Sequence, residues 1–299
     1  MNRLNYEKVF KTLVEETGNY LVNYSLRAMV LGVSGGIDST VVAAICCEVN
    51  KQTNIPLIGR SLPIKNKKDE FDVSKLVGEA FCNNFDVANL YDEYKCFLSG
   101  LVWREERIDL LDDTETMHPE KSKQQTLIAN GNIQARLRMI YLYNLASIHN
   151  GLVMSTDNQT EYQLGFWTIH GDVGDFDPIQ DLWKTEVYQL AEWLKLFYYT
   201  DGDDADKAVA IGESIKLTPT DGLGISNSDL DQIGAKSYND VDRVLQTLVC
   251  PASPENDRVQ DALTVEIGPE IIDKIIKRRR NSRFKREKSP IYISRERYE

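Results

Sequence analysis

The sequence has few cysteines and none of the long apolar runs that mark membrane proteins. Its 299 residues include five cysteines, an odd number without metal-ligand spacing, so we expect reduced thiols and no disulfide framework. No apolar run approaches the length of a membrane-spanning helix. The first residues, Met1–Asn5, lack the apolar segment of a signal peptide. These absences predict a cytoplasmic chain without membrane contact.

Positive charge is also scarce, except in one segment. The formal net charge is −11, yet residues 274–288 hold nine basic side chains and one acid. An acidic body argues against a broad nucleic-acid-binding surface, so we expect no nucleic-acid partner. The basic segment is typical of a solvated face or of a tail that binds polyanions. A site for an anionic small molecule is the alternative, and composition leaves the three readings open.

Short apolar runs alternate with helical patterns along the chain. Such an alternation predicts parallel βαβ units in a doubly wound, mostly parallel sheet flanked by helices, an α/β fold of Rossmann-like type. A polar, charge-rich passage at 99–124 interrupts the pattern and is predicted to be an insertion or a mobile loop. The predicted strands are 28–33, 55–60, 85–90 and 151–156. The predicted helices are 5–26, 40–48, 69–81, 133–148 and 184–196.

The most informative motif is Ser34-Gly35-Gly36-Ile37-Asp38-Ser39, between the first strand and the helix that follows. Small residues allow a tight turn, and the unbonded N–H groups of the helix would face it, so the junction predicts an anion cradle. It lacks the lysine spacing of a P-loop. Asp38 beside a phosphate favours a bridging cation such as Mg²⁺. An ordinary strand–turn–helix corner is the alternative. The motif resembles the pyrophosphate-binding loop of ATP pyrophosphatases.

Three later segments carry candidate binding groups. Asn132 and Arg136 are four residues apart and share a helix face, although such an arginine is often merely solvated. Glu161 is a candidate second metal ligand after the fourth strand, with a helix-capping box as the alternative. The acidic loop at 171–178 would suit a cation or ammonium, and Lys184 offers a point charge for phosphate.

Together, in order, these segments resemble ammonia-dependent NAD synthetases over about residues 20–290. The resemblance rests on Gly131–Met139, Ser155–Glu161, Gly165–Asp172, Asp181–Val187, Thr218–Thr220 and Ser237–Asp242. It implies an adenine nucleotide alpha-hydrolase-like fold and an ATP-dependent ligase. ATP would adenylate the carboxylate of deamido-NAD, pyrophosphate would leave, and ammonia would then give NAD.

The resemblance also implies an organisation and partners. A single NAD synthetase domain would span 1–299, with an amino-terminal helix at about 5–26, an ATP-binding core at about 27–196 and a helical, basic segment at about 207–299. No glutaminase domain is expected, so ammonia would come free or from a separate partner. A homodimer is implied, with the helix at 139–148 as a candidate interface, and core packing is its alternative.

By motif match, the family's functional residues fall on the following positions. The ATP-binding set is Gly32, Val33, Ser34, Gly35, Gly36, Ile37, Asp38, Ser39, Arg60, Thr156, Lys184 and Thr220. Mg²⁺ would be held by Asp38 and Glu161. The deamido-NAD set is Asn132, Arg136, His170, Asp172, Asp175, Lys285 and Arg286, and the catalytic set is Asp38, Asp172, Asp175 and Lys184.

Two departures from the family pattern leave alternatives open. Ile169 stands where the family usually has lysine, and the shorter acidic loop leaves Asp175 and Asp177 as alternatives. The competing interpretations are another amidating ATP pyrophosphatase, such as a GMP synthetase, and a nucleotide-binding relative without turnover. The presence of Asp38, Glu161 and Lys184 favours an enzyme.

Overall fold

A computed structural model describes residues 4–109, 119–200, 204–219, 229–249 and 262–287. It begins with helix α1 (Tyr6–Asn23), whose first turn is capped by the Asn5 side chain, which accepts a hydrogen bond from the Lys8 N–H. The sequence-based prediction of a helix over 5–26 is therefore confirmed to within a few residues.

Four parallel strands form the sheet: β1 (Ala28–Gly32), β2 (Leu57–Ser61), β3 (Asn84–Val87) and β4 (Gly151–Val153). Their spatial order is β3-β2-β1-β4. In register, Val30 of β1 lies between Ile58 of β2 and Val153 of β4. The predicted parallel α/β sheet is confirmed.

The helices differ from the prediction at two places. α2 begins at Ile37 and not at Thr40, because Gly36 is its N-cap, so Asp38 and Ser39 lie in its first turn. Residues 99–109 and 119–124 are helical, which corrects the mobile-loop alternative for these residues and does not test the prediction of an insertion. Glu, Lys and Arg, which are frequent there, are good helix formers even without an apolar stripe.

The remaining helices follow in chain order. They are α2 (Ile37–Thr53), α3 (Lys68–Phe81), α4 (Tyr91–Asp109), α5 (Pro119–His149), α6 (Gln159–Leu164), α7 (Lys184–Thr200), α8 (Ala205–Lys216), α9 (Asp229–Ile233), α10 (Tyr238–Val249), α11 (262–267) and α12 (Pro269–Asn281), with a 3-10 turn at Arg283–Arg286. Within the described ranges, no helix combines the length and apolarity needed to cross a membrane.

The sheet is covered on both faces, as its apolar strands require. Met29 and Leu31 of β1 pack into a core with α1, α2, α3, α7 and α8. Ala28 and Val30, which alternate with them, pack on the other face against α4 and α5. A third cluster joins Leu164 of α6 to apolar residues of α10, α11 and α12. The structure thus surrounds one end of the sheet with helices from the carboxyl-terminal third.

The strand order places a topological switch point at β1. The chain moves from β1 outward to β2 and β3, and then returns to the other side of β1 as β4. In open parallel sheets ligands bind beyond the carboxyl ends of the strands at such a point. The segments after β1 and β4, which carry the Ser34–Ser39 motif and residues 154–158, therefore meet where a ligand site is expected.

Candidate active site

The loop after β1 is a tight glycine turn that opens onto the amino terminus of α2. Gly35 has a φ of +85°. Ser34 Oγ lies 2.9 Å from Ser39 Oγ and accepts a 3.2 Å hydrogen bond from the Gly36 N–H. The N-cap residue Gly36 has no side chain to bond the first-turn N–H groups. These groups are therefore available to an anion, as the motif predicts.

Ser214 of α8 fixes this loop from behind. Its hydroxyl donates to the Gly35 carbonyl at 2.8 Å and accepts from Thr40 Oγ1 at 2.9 Å. Thr40 lies in the second turn of α2, and both hydroxyls are buried. The loop is thus held by packed polar contacts before any ligand arrives, which reduces the ordering cost of binding.

A buried lysine lies between two acids beside the loop. Lys184, the first residue of α7, has a side chain only 3% exposed, and its Nζ lies 2.5 Å from Asp38 Oδ2 and 2.9 Å from Glu161 Oε1. Burial by itself lowers the pKa of Lys184, but the charges of Asp38 and Glu161 raise it well above its usual value. The ammonium group is therefore charged and pairs with both acids.

Asn158 connects these acids and was not singled out by the sequence analysis. Its Oδ1 accepts from the Glu161 N–H at 3.1 Å, as the N-cap of α6, while its Nδ2 donates to Asp38 Oδ1 at 2.8 Å. The capping box that was the alternative reading of Glu161 is present. Glu161 nevertheless also contacts Lys184. The same side chain therefore takes part in the helix cap and in the site. The Asn158 amide holds α6 and α2 in register at the cluster.

Asp38 and Glu161 have the donor chemistry to hold a Mg²⁺ ion. Both are carboxylates gathered on one cation, Lys184, at the rim of an anion-binding loop. Mg²⁺ in such sites takes one or two carboxylates and completes its shell with phosphates and water. Among the described residues, no group of three or more His, Cys, Asp or Glu is placed to hold a metal by itself. The donor set thus suits an ion that arrives with its nucleotide.

A cavity of about 760 Å³ lies in front of this cluster. It brings together most of the candidate residues predicted from the sequence. Those in its lining are Ser34, Gly36, Ile37, Asp38, Ser39, Asn132, Thr156, Glu161, Asp172, Lys184 and Lys285. Thr218 and Pro219 also line it, whereas the candidate Thr220 lies outside the described residues.

A second cavity of about 250 Å³ lies beyond the ends of β1 and β2. Its lining includes Gly32, Val33 and Arg60 of the predicted ATP-binding set, and it shares Ser34 and Thr156 with the larger cavity. The Arg60 guanidinium donates to the Gly59 carbonyl at 2.7 Å and to Asn84 Oδ1 at 2.8 Å. The predicted ATP-binding residues therefore surround two adjoining spaces.

Five of the described predicted residues lie in neither lining: Gly35, Arg136, His170, Asp175 and Arg286. The Arg136 guanidinium donates to the Ile169 carbonyl at 3.0 Å, and Arg286 donates to the Gln163 and Arg279 carbonyls. Asp175 accepts from Tyr143 OH at 2.9 Å and from the Val153 N–H at 3.1 Å. His170 is exposed in a positive-φ turn. These side chains, as placed, stabilise the loop at 163–175 or lie on its outer surface.

Asn132 and Lys285 hold the same loop from the cavity side. Asn132 Oδ1 accepts from Thr168 Oγ1 at 2.7 Å, so Asn132 and Arg136 share the helix face predicted from their spacing. Lys285 Nζ donates to the Gly165 carbonyl at 2.7 Å and to the Trp167 carbonyl. Burial lowers the pKa of Lys285, against the attraction of Asp172.

Two further buried acids, one of them in the cavity lining, have raised pKa values. Asp157 lines the larger cavity, and burial, followed by the charges of Asp172 and Glu161, raises its pKa well above the usual value. Burial raises the pKa of Asp177 to about 7. Asp157 was not in the predicted site set, although its position directly after the β4 segment was a usable signal, whereas Asp177 was predicted as the alternative to Asp175.

Arg138 is a further residue that the sequence analysis did not place in the site. It lines the smaller cavity, and its guanidinium donates to the Leu62 carbonyl at 3.0 Å and to Asn66 Oδ1 at 3.1 Å. Burial lowers its pKa to about 10, against the attraction of Asp172 and Glu70. Its position two residues after Arg136 gave no reason to prefer it, because only packing shows which arginine is buried.

An anion-binding loop and a buried Lys–Asp–Glu cluster at the switch point of a parallel sheet define a nucleotide-binding α/β enzyme. The family model described as NAD synthase matches residues 9–289. The chain belongs to the NAD synthase family. This finding confirms the family that the sequence motifs resemble.

Individual relatives and structures agree with the family. The ammonia-dependent NAD⁺ synthetase of Methanococcoides burtonii is 31% identical over 277 residues, which is 92% of this chain and 90% of the relative. Among solved structures, an NMN synthetase from Francisella tularensis has a TM-score of 0.72 at 23% identity and covers 98% of this chain and 100% of its own. An ammonia-dependent NAD synthetase from Campylobacter jejuni has a TM-score of 0.66 at 22% identity, with 97% and 100% covered. The two structures support the fold.

Proposed function

We propose that this chain is a ligase that makes NAD⁺ from deamido-NAD, ATP and ammonia. The observation that carries the proposal is the Lys184 cluster beside the anion loop, in a chain that belongs to the NAD synthase family. The cavity of about 760 Å³ is in the upper range of small-molecule sites. A site for two nucleotides needs such a volume.

The first step joins two anions, so the site has to cancel charge. A carboxylate oxygen of deamido-NAD attacks the α-phosphorus of ATP, and the bond to the pyrophosphate breaks. The N–H groups of Ile37–Ser39 and the Lys184 ammonium are proposed to stabilise the departing pyrophosphate. Arg60, Thr156 and Thr220 are proposed to complete ATP binding. Asp38 and Glu161 would hold Mg²⁺, which would supply further charge neutralisation.

The second step needs neutral ammonia. The nitrogen attacks the acyl carbon, AMP leaves, and the protons that ammonium and the amine give up require acceptors. Asp157 lines the cavity, and Asp177 behind it has a pKa raised by burial to about 7, which suits a proton acceptor near neutral pH. We assign this role to these acids and to Asp172, and not to Asp175, whose carboxylate is engaged by Tyr143 and Val153.

The remaining roles concern the dinucleotide. Asn132 and Lys285 line the cavity and are proposed to contact deamido-NAD directly. Arg136, His170 and Arg286 border the loop at 163–175, and we propose that they hold its shape around the same substrate. Ile169 offers no cation there, so discrimination of the substrate would rest on the neighbouring basic residues.

A homodimer in the cytoplasm completes the proposal. α5 packs Met139 and Leu142 into the core, which is the core-packing alternative, while Ile140, Tyr143 and Ile148 are exposed on its other side. An apolar stripe of this kind on a helix is typical of an interface between subunits. The single-domain organisation over 1–299 stays a prediction.

Product analysis tests the reaction. The purified chain is incubated with deamido-NAD, ATP, Mg²⁺ and ammonium, and NAD⁺, AMP and pyrophosphate are quantified by chromatography. Equal amounts of all three are expected. Xanthosine monophosphate and nicotinic acid mononucleotide, offered separately, test the other amidating activities. Turnover of either in preference to deamido-NAD would overturn the substrate assignment, and no turnover of any under ammonium excess would overturn the ligase.

Replacing the buried lysine tests the mechanism. Lys184→Met should lower kcat about 100- to 1,000-fold, the usual cost of removing one charge-stabilising donor at a transition state. The control is Lys195→Met on the same helix, where the lysine is exposed and pairs with Glu192 at 3.8 Å. Near-normal turnover by Lys184→Met, with Lys195→Met as reference, would contradict the proposed role.

A further inference from the structure

Asp242 lies on α10, outside the linings of both cavities, yet two hydrogen-bond paths join it to Lys184. Its Oδ1 accepts from Thr160 Oγ1 at 2.5 Å, and the same Thr160 Oγ1 accepts from the Lys184 N–H at 2.9 Å. Its Oδ2 accepts from the Thr185 N–H at 2.9 Å. Asp242 is 1% exposed, so these contacts are made without competition from solvent.

These contacts are made at the amino-terminal end of α7, where the backbone N–H groups have no acceptors within the helix. Lys184 and Thr185 are the first two residues of that helix, and the first N–H groups of a helix lack intrahelical acceptors. A carboxylate there also faces the positive end of the helix dipole. Asp242 and Thr160 therefore fix the backbone from which the Lys184 side chain extends to Asp38 and Glu161.

A second residue of α10 contacts the lysine itself. The ring centroid of Tyr238, one turn before Asp242, lies 5.5 Å from Lys184 Nζ. α10 is in turn held by Val241, Val244 and Leu245 in the third core cluster. The carboxyl-terminal third thus supports the lysine through one rigid helix, at both the backbone and the ammonium.

We propose that Asp242 is a positioning residue that sets the geometry of Lys184 through Thr160 and Thr185. The expected effect of Asp242 on turnover rests on the proposed function of Lys184, whereas its effect on the position of Lys184 does not. The carboxylate uses both oxygens as acceptors, one for each path. Asparagine has a single acceptor oxygen in its side chain, so Asp242→Asn loses one of the two paths at nearly constant volume.

Steady-state kinetics of Asp242→Asn give the first test. A small displacement of a catalytic group costs up to about 100-fold in rate, so we expect kcat to fall about 10- to 100-fold, with less change in the ATP KM. The control is Asp240→Asn in the first turn of the same helix, where Asp240 is half-buried; it should keep kcat within about twofold because both paths to Lys184 run through Asp242. Equal kinetics for the two variants would overturn the proposal.

Thr160 provides a conservative rescue. Thr160→Val removes the hydroxyl and should resemble Asp242→Asn, whereas Thr160→Ser keeps the hydroxyl and should retain most of the wild-type kcat. The double variant Asp242→Asn with Thr160→Val should be no slower than the slower single variant, since both break one path. Multiplying defects, or failure of Thr160→Ser to rescue, would indicate general damage to the fold and overturn the assignment. This comparison also serves if Asp242→Asn does not fold.

Lysine labelling separates this inference from the proposed function. Acetic anhydride modifies exposed amines, and the peptide that contains Lys184 is followed by mass spectrometry at a pH where all variants are folded. We expect Lys184 to be protected in the wild type and in Asp240→Asn, and to be labelled faster in Asp242→Asn. Unchanged protection overturns the positioning role even in an active enzyme. Increased labelling supports it even if the wild type makes no NAD⁺.

Discussion

At the scale of single residues, Asp177 shows how burial raises the pKa of an aspartate. Burial and the charge of Asp38 raise its pKa to about 7, although the Ile179 N–H and the Ser155 hydroxyl act in the opposite direction. Its Oδ2 is buried without a hydrogen-bond partner in the described part of the chain. Asp157 is also buried, and the charge of Asp177 is one of the causes that raise the pKa of Asp157.

The raised pKa of Asp177 makes the free energy of unfolding dependent on pH. The pKa is raised from 3.8 to about 7 on folding, so the folded state keeps a proton that the unfolded state loses. The wild type should therefore lose stability as pH rises from about 4 to about 7, and Asp177→Asn should be more stable by on the order of 2 kcal/mol above pH 7. The measurement is the Tm difference between variant and wild type at both ends of this range.

The control for this prediction is Asp206→Asn on the exposed surface of α8. Its Tm difference from the wild type should stay small at both pH values, because exposed substitutions rarely change stability by more than about 0.5 kcal/mol. A constant Tm difference for Asp177→Asn across the range would show that Asp177 is ionised in the folded protein.

Residue by residue, the sequence identified the charged groups better than their partners. Asp38, Glu161 and Lys184 were predicted and lie together. Asn158 and Asp242 were not singled out, because a buried hydrogen bond between distant segments leaves no mark on local spacing. The roles of the predicted site residues stay predictions until the variants are measured.

At the scale of elements, the turn between β1 and α2 depends on Gly35. Its φ of +85° is unfavourable for residues with a side chain, and an added Cβ would lie 2.8 Å from the Glu70 carbonyl oxygen and the Ser74 nitrogen. Both of these are backbone atoms of α3 and cannot move aside alone. The anion loop and α3 are therefore packed in direct contact.

Gly35→Ala should consequently lower both stability and ATP affinity. Strain at a positive φ costs about 1–3 kcal/mol, and the clash would displace the loop from the end of α2. Gly100→Ala in α4 is the matched control, since an added Cβ there meets nothing within 4 Å. It should raise stability by roughly 0.5–1 kcal/mol through helix propensity. Thermal melts and ATP titrations check both, and unimpaired ATP binding by Gly35→Ala would contradict this account.

The predicted strands and helices were found where hydrophobic periodicity was clear. Errors arose where one local pattern competed with another. The strand predicted for 151–156 ends at Val153. The next residue, Met154, instead forms an isolated parallel bridge with Phe176. The polar passage at 99–124 lacks an apolar stripe, yet its described residues are helical because their helix propensity is high.

At the scale of the whole molecule, the outer surface of α5 has large exposed apolar residues. Ile140 and Ile148 are 67% and 66% exposed. The Tyr143 hydroxyl, on the same side of α5, donates to Asp175. Such a surface is expected to be buried between two subunits of the proposed homodimer.

The double variant Ile140→Arg with Ile148→Arg should therefore be monomeric. Burying unpaired charges costs several kcal/mol, and each 1.4 kcal/mol is tenfold in affinity, so the dimer Kd should rise by about 100-fold or more. Sedimentation velocity measures the change. Leu196→Arg with Tyr199→Arg, at exposed apolar positions of α7, is the control and should remain dimeric. A wild type that sediments as a monomer would refute the interface.

The sequence by itself determined the fold class, the family and the ammonia-dependent activity that the relatives support. These are written in local patterns: apolar alternation, a glycine turn before a helix, and motifs in a constant order. Tertiary structure alone decided which side chains share the cavity and which brace it. It places Lys184 between two acids, with the backbone at Thr185 hydrogen-bonded to Asp242. It also pairs Asp175 with Tyr143, away from the cavity linings. Burial and long-range hydrogen bonds depend on packing between segments far apart in the chain, and no local pattern records them.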